Sequence, residues 1–293
     1  MKKNIFRGLG IAEITPFREN GEVDYAALTA LTQSFMDCGV DFICVLGTTA
    51  ETPCLTADEK QKIIDTIQAV NQGRLPILLG AGGNNTREVC NNVKNCPEGI
   101  DGVLIVCPYY NKPTQEGLYQ HFKAVAESTP LPVVLYNVPG RTGVNLSSAT
   151  TLRLANDVEN IVAIKEASGM IDQIEEIIDK SPEGFEVISG DDGITFELLT
   201  LGAVGVISVL GNAYPSEFGE MVHSVLNNEY DTALRRQQQF RPLYKMLFAD
   251  GNPAGVKALM NIQGKVENVL RLPLVPATEK TVSALKDFDA QMR

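Results

Sequence analysis

A lysine ends an apolar run in this chain. In Asn160–Gly169, NIVAIKEASG, the residues Ile161–Ile164 read as a short buried strand, and Lys165 follows directly, then Glu166 and the small residues Ser168 and Gly169. Lysine is seldom buried unless it is paired. Glu166 is adjacent, but consecutive residues of a strand point to opposite faces. An amine in an enclosed apolar setting loses solvation for its charged form, and a neutral amine adds to a ketone to give a Schiff base. Forming and resolving that imine needs a proton shuttle of phenol or hydroxyl groups. Tyr136, Thr48 and Tyr110 are the candidates. A carboxylate-bearing substrate needs an anchor: the hydroxyls and amides of Thr48 and Thr49 supply one, and Arg141 a second, with a bidentate fork.

These residues stand just after apolar runs. Strand-like pieces are Leu9–Phe17, Asp41–Gly47, Pro76–Gly82, Gly102–Pro108, Pro132–Asn137, Ile161–Lys165, Phe185–Gly190 and Val204–Val209. Between them lie runs with apolar spacing near three and four. One opens on TADE (Thr56–Glu59), a capping-box pattern, and another on NTRE (Asn85–Glu88) by the same logic. A third spans Thr114–Glu127, with Leu118, Phe122 and Val125 on one face. Val/Ile/Leu-rich strands alternating with helices imply a parallel sheet covered on both faces. Eight such units predict a (β/α)8 TIM barrel, with a doubly wound open sheet as the alternative. From Pro215 no further strand is evident, and 230–250, 253–264 and 278–293 read as helices. The expected division is a catalytic barrel over 1–225 and a C-terminal helical extension over 226–293.

In a barrel, chemistry belongs at the C-terminal strand ends. Those ends carry GTTAET (Gly47–Thr52), CPYYNKP (Cys107–Pro113), YNVPGRTG (Tyr136–Gly143), Lys165, SGDD (Ser189–Asp192) and GVISV (Gly205–Val209). Each has an ordinary reading. A strand-end lysine is usually solvated or half of an ion pair, tyrosines pack interfaces, and GTT and GRTG are turns in most proteins. GAGGNN does not match the dinucleotide pattern G-x-G-x-x-G. Their joint placement at successive strand ends favours the chemical reading.

Composition narrows the classes further. The 293 residues carry 25 Lys+Arg against 36 Asp+Glu, a net charge of −11. That argues against nucleic acid and anionic membrane surfaces as partners. The N-terminal MKKNIFRGLG lacks the apolar core of a secretory signal, so a cytoplasmic location is expected. The six cysteines form no Cys-x-x-Cys pair and read as reduced core thiols. Only two histidines, His121 and His223, are present, which argues against His-based triads and His-rich zinc sites.

The motifs GTTAET, PYYNKPTQEGLYQHF, YNVPGRTG, IKEASG, SGDD and GVISV together resemble those of the dihydrodipicolinate synthases (4-hydroxy-tetrahydrodipicolinate synthases), class I aldolase-type enzymes of the pyruvate-lysine superfamily. The resemblance runs from about Gly8 to the C-terminal helices. It implies Lys165 as the Schiff-base lysine and Tyr136 as the acid/base beside it, with Thr48 and Tyr110 completing a proton relay. Tyr110 would reach into a neighbouring subunit's site. Thr49, Gly190 and the Ile207 backbone would line the pyruvate site, and Arg141 would bind the carboxylate of aspartate semialdehyde. The implied assembly is a homotetramer, a dimer of dimers. No metal or organic cofactor is implied, pyruvate being bound covalently as substrate. One departure lies inside a motif: Ala50 stands where the family usually has glycine, and a left-handed backbone there would not suit alanine.

Many enzymes of this kind are inhibited by lysine in a cleft between subunits. The matching positions are Thr52, Ala57, Lys60, Asn84, Glu88 and Tyr109. Glu88, Asn84 and Tyr109 suit lysine, whereas Ala57 and Lys60 replace the histidines of sensitive bacterial members. The nearest rival reading is another pyruvate-lysine aldolase, such as N-acetylneuraminate lyase or a keto-deoxy sugar acid aldolase; Arg141 in GRTG speaks for the short amino-acid substrate. A non-enzymatic sensor on the same barrel would be expected to have lost Lys165, Tyr136, Thr48 and Tyr110, and all four are present.

Overall fold

The computed structural model describes residues 4–292. Its strands are β1 (Gly8–Ala12), β2 (Phe42–Val45), β3 (Ile77–Gly80), β4 (Gly102–Val106), β5 (Val133–Asn137), β6 (Ile161–Glu166), β7 (Glu186–Ser189) and β8 (Gly205–Ser208). They follow one another in order around a closed barrel. The open-sheet alternative is thereby excluded. Each strand is four to six residues of mostly Val, Ile, Leu and Gly, buried almost throughout, as a sheet covered on both faces requires. The first strand is shorter than its apolar run. It stops at Ala12, and the segment through Phe17 makes only an isolated antiparallel bridge to Val23. Pro16 in that segment has no N–H to continue a ladder.

Helices fill the intervals at the expected places. Thr56 caps Ala57–Asn71 with a complete capping box: its hydroxyl accepts from Glu59 N at 3.2 Å and its N–H donates to Glu59 Oε2 at 2.9 Å. The second box is only half made. Asn85 caps Thr86–Lys94 through a bond from Arg87 N, and Glu88 stays exposed without closing the pattern. Thr114 caps Gln115–Glu127 by accepting from Gly117 N.

The chain falls into two compact units, one comprising residues up to Gly8 with Pro76–Ile207, the other Leu9–Leu75 with residues from Ser208 on. In the first, β3 to β8 pair in parallel register. The second contains β1 paired with β2 and the helices Pro215–Leu226, Tyr230–Phe248, Ala254–Ile262 and Glu279–Met292. An aromatic cluster joins those helices. Phe240 lies 5.6 Å from Tyr214 and 5.9 Å from Phe218, and Phe288 lies 6.4 Å from Tyr214. The Tyr214 hydroxyl donates to Asp289 at 2.7 Å. Among the described residues no helix is long and apolar enough to cross a membrane. All six cysteines are free thiols, but only Cys44 and Cys107 lie in the core. Cys38, Cys54, Cys90 and Cys96 are partly exposed, because each stands in a loop or on a helix side that solvent reaches.

Candidate active site

The register between β5 and β6 decides what stands beside Lys165. Tyr136 pairs with Lys165, and Asn137 pairs with Glu166. Side chains alternate along a strand, so directly paired residues share a face. One face therefore receives an amine and a phenol, the other a carboxylate and an amide. Lys165 is 6% exposed and its Nζ stands 4.4 Å from the centroid of the Tyr136 ring. Among the described residues it has no ion-pair partner.

Glu166 is occupied elsewhere. Its Oε1 accepts from Asn137 Nδ2 at 2.8 Å and Gln173 Nε2 at 3.2 Å, and its Oε2 from Ser168 N at 3.1 Å. Burial pushes this carboxyl up, and the bonds from Ser168, Asn137 and Gln173 oppose the shift. Asn137 and Gln173 also bond Asn145, so Glu166 anchors a polar network directed towards the loop and helix around Asn145 and Gln173. The carboxylate next in sequence to Lys165 thus does not neutralise it.

Gly190, at the end of β7, makes room for the lysine. A Cβ there would come within 2.9 Å of Lys165 Cε and of Ala167 Cβ, and within 3.0 Å of Glu166 O. Its N–H bonds Glu166 O at 2.7 Å, which holds the backbone against the lysine stem. Ile207 is buried in β8. The chemistry this cluster supports is carbonyl addition by an enclosed, unpaired amine with a phenol beside it.

Two other expected residues of the first unit are exposed beyond strand ends. Arg141 is exposed on the short helix Pro139–Thr142 after β5, and its guanidinium has no partner among the described residues. A free fork of donors is what an anionic substrate group requires. Tyr110 follows β4 and is 84% exposed, with a left-handed φ of 76°. Such a backbone is uncommon for an aromatic residue and clusters where function demands it. Within one chain, Tyr110 bonds no described residue. Of the positions matched to a lysine cleft, Asn84 and Tyr109 meet through Asn84 Nδ2 to Tyr109 O at 3.3 Å, and Glu88 is exposed nearby in sequence.

In the second unit, Thr48, Thr49 and Ala50 form one turn of 3₁₀ helix after β2. Thr49 is buried and Thr48 exposed. The left-handed backbone that would not suit alanine does not fall on Ala50. The left-handed residue is Glu51, at φ 54° and ψ 34°. Alanine is accommodated because the reversal falls one residue later, while the Ala50 carbonyl accepts from Thr15 Oγ1 at 2.8 Å. The Thr52 hydroxyl bonds Gly47 O at 2.8 Å and so closes the same loop. Ala57 opens the following helix and is exposed, and Lys60 is half-buried in its first turns.

Sequence reasoning missed the residues that hold this turn. Lys257 is fully buried, and its Nζ donates to Glu51 Oε1 at 2.5 Å and Val269 O at 3.0 Å. Desolvation pulls Lys257 down to about 8, opposed by Glu51. Arg271 donates its N–H to Glu51 Oε2 and its guanidinium to both oxygens of Glu59. Those Arg271 bonds hold Glu59 down at about 2. Asn252 Nδ2 donates to Thr49 Oγ1 at 3.0 Å. A signal for Lys257 was present: AGVKALM is apolar all round, so a helix there is buried on every side and its lysine must be paired.

The model of the dihydrodipicolinate synthetase family matches residues 5–291. The chain belongs to that family. A 4-hydroxy-tetrahydrodipicolinate synthase of Phocaeicola vulgatus is 57% identical over 281 residues, covering 96% of this chain and 95% of the relative. The solved dihydrodipicolinate synthase of Thermotoga maritima is 44% identical with a TM-score of 0.96, over 98% of this chain and 99% of its own. That of Aquifex aeolicus is 42% identical with a TM-score of 0.94, over 98% of each chain. Membership of the dihydrodipicolinate synthetase family agrees with the closed barrel and the motifs on which the resemblance was drawn.

Proposed function

We propose that this chain is a lyase that condenses pyruvate with L-aspartate 4-semialdehyde through a Schiff base on Lys165, giving 4-hydroxy-tetrahydrodipicolinate for lysine and diaminopimelate biosynthesis. The observation that carries the reading is Lys165 itself: enclosed, unpaired, and standing over the Tyr136 ring. Its amine adds to the ketone of pyruvate and water leaves. The imine loses a methyl proton to become an enamine, whose carbon attacks the aldehyde of the second substrate. The amine of that substrate then displaces Lys165 as the ring closes.

Tyr136 is the proton carrier at the imine, with Thr48 and Tyr110 as the other members of its relay. Thr49, Gly190 and the Ile207 backbone serve the pyruvate, and Arg141 takes the carboxylate of the semialdehyde. The lysine is the electron sink, so the reading calls for no metal or organic cofactor. The exposed Tyr110 on its left-handed backbone supports a role in a second copy's site, within a homotetramer built as a dimer of dimers. The catalytic barrel is assigned to 1–225, the helical extension to 226–293, and the setting to the cytoplasm, with small molecules rather than nucleic acid or membrane as partners.

The relatives' shared name does not favour sugar-acid cleavage. Purified protein given both substrates forms the ring product, and N-acetylneuraminate or a 2-keto-3-deoxy sugar acid yields no pyruvate. Pyruvate release from a sugar acid, with no ring product, overturns the assignment.

A further inference from the structure

The turn that carries Thr48 and Thr49 is held from the C-terminal part of the chain. Asn252 Nδ2 donates to Thr49 Oγ1 at 3.0 Å, and both residues are buried, 7% and 2% exposed. Two residues on, Glu51 sits in its left-handed conformation with its carboxylate between the Lys257 ammonium and the Arg271 N–H. Lys257 is itself fixed by Val269 O and by the Phe17 ring, 4.1 Å from its nitrogen to the centroid. Thr15 holds Ala50 O from the other side. The turn is therefore held on both sides of Thr49, and Thr49 is held by its own hydroxyl.

The direction of the Asn252 bond has a chemical consequence. A hydroxyl carries one proton and two acceptor positions. Where Thr49 Oγ1 accepts from Asn252, its single proton is left to donate elsewhere. A carboxylate accepts only, and a pre-aimed donor in a buried site binds it more strongly than one that must reorient. Had the amide been turned over, its oxygen would take the threonine proton and Thr49 would present only lone pairs to an anion. The Glu51–Lys257 pair keeps the turn at the distance where Asn252 reaches Thr49.

We infer that Asn252, supported by the Glu51–Lys257 pair, is a positioning residue that sets Thr49 as a hydrogen-bond donor to the carboxylate of the 2-keto acid. This rests on the reading of Thr49 as a pyruvate ligand, and it makes the C-terminal extension part of the substrate site.

The test is a double-mutant cycle on the full chain, reading the KM of each substrate, kcat, and the thermal unfolding midpoint. Asn252→Ala raises the pyruvate KM roughly three- to tenfold, the range of one buried hydrogen bond, and leaves the semialdehyde KM within about twofold. Thr49→Val raises the pyruvate KM by at least as much. In the Thr49→Val background Asn252→Ala has no further effect, because the residue it acted through is gone. Asn252→Ser, too short to reach, repeats the result should the alanine variant fold poorly. An additive effect in the cycle, or a lowered midpoint with pyruvate KM unchanged, overturns the inference. A Thr49→Val variant with unaltered pyruvate KM overturns it together with the reading of Thr49, so the two failures are distinguishable.

Discussion

The side-chain nitrogen of Lys165 lies 4.4 Å from the centroid of the Tyr136 ring, and the two residues are direct partners in the β5–β6 register. The backbone pairing that builds the sheet is thus the same pairing that sets amine beside phenol. Borohydride added with pyruvate is expected to leave one three-carbon adduct per chain, on Lys165. Tyr136→Phe keeps a ring under the amine but loses the hydroxyl; kcat falls by about 10²–10⁴, the usual worth of a positioned acid/base. Peptide mass mapping checks the first, and an unmodified Lys165 in inactivated enzyme contradicts it.

Gly190→Ala places a methyl group 2.9 Å from Lys165 Cε and Ala167 Cβ, and 3.0 Å from Glu166 O. The lysine stem can move only by leaving its place over Tyr136, since the backbone oxygen cannot yield as easily. The expected result is a fall in trapping rate and kcat of at least about tenfold, with the unfolding midpoint shifted by a few degrees at most. Full activity in this variant would mean the lysine is not held where the Gly190 backbone requires.

Arg141→Ala separates the two substrates. The guanidinium is exposed and unpaired among the described residues, so its removal leaves the fold and pyruvate trapping intact. Condensation with the semialdehyde drops by about 2–3 kcal/mol, the worth of a charge-assisted bidentate contact. Comparing the two rates in one preparation decides it, and an equal loss of both would assign Arg141 to pyruvate binding or to the fold.

Lysine is expected to inhibit weakly or not at all. Ala57 offers no polar side chain, and Lys60, half-buried in the first turns of its helix, would set a cation against a ligand with two ammonium groups at the matched cleft. Like charges about 6 Å apart at an effective dielectric near 20 repel by roughly 2–3 kcal/mol before screening. Titration of lysine at subsaturating pyruvate is the measurement; half-inhibition at submillimolar lysine contradicts the expectation, and Lys60→His should then change little.

His223 links stability to pH. Its Nε2 lies 2.6 Å from Asp41 Oδ2, which also accepts from Leu9 N at 2.7 Å. The Asp41 hydrogen bond raises the imidazole above its ordinary 6.5, against desolvation. A raised folded value means the contribution is complete below 6.5 and is lost as pH rises through the raised value. Urea midpoints of wild type and His223→Asn should therefore differ more at pH 6 than at pH 9. Both side chains are partly solvated, so the difference is modest. A gap that widens towards pH 9 would reverse the sign.

What the amino-acid sequence determined by itself is what local physics controls. Eight Val/Ile/Leu runs announced eight strands, because a strand buried on both faces admits little else. Thr56 and Thr114 marked helix starts, because a cap needs only residues within one turn. Lys165 and Tyr136 could be picked out as candidates because each stands at the end of such a run, and Arg141 because it follows one closely. The tertiary structure alone decided the rest. Whether Lys165 would be paired depended on β6 pointing Glu166 into the Asn137–Gln173 network. That the left-handed residue near Ala50 is Glu51, and that its carboxylate meets Lys257, 206 positions away, is seen only in the folded chain. Asn252 is likewise 203 positions from Thr49. No periodicity connects such residues; they meet only because chain closure brings buried polar groups where each must find a partner or remain costly.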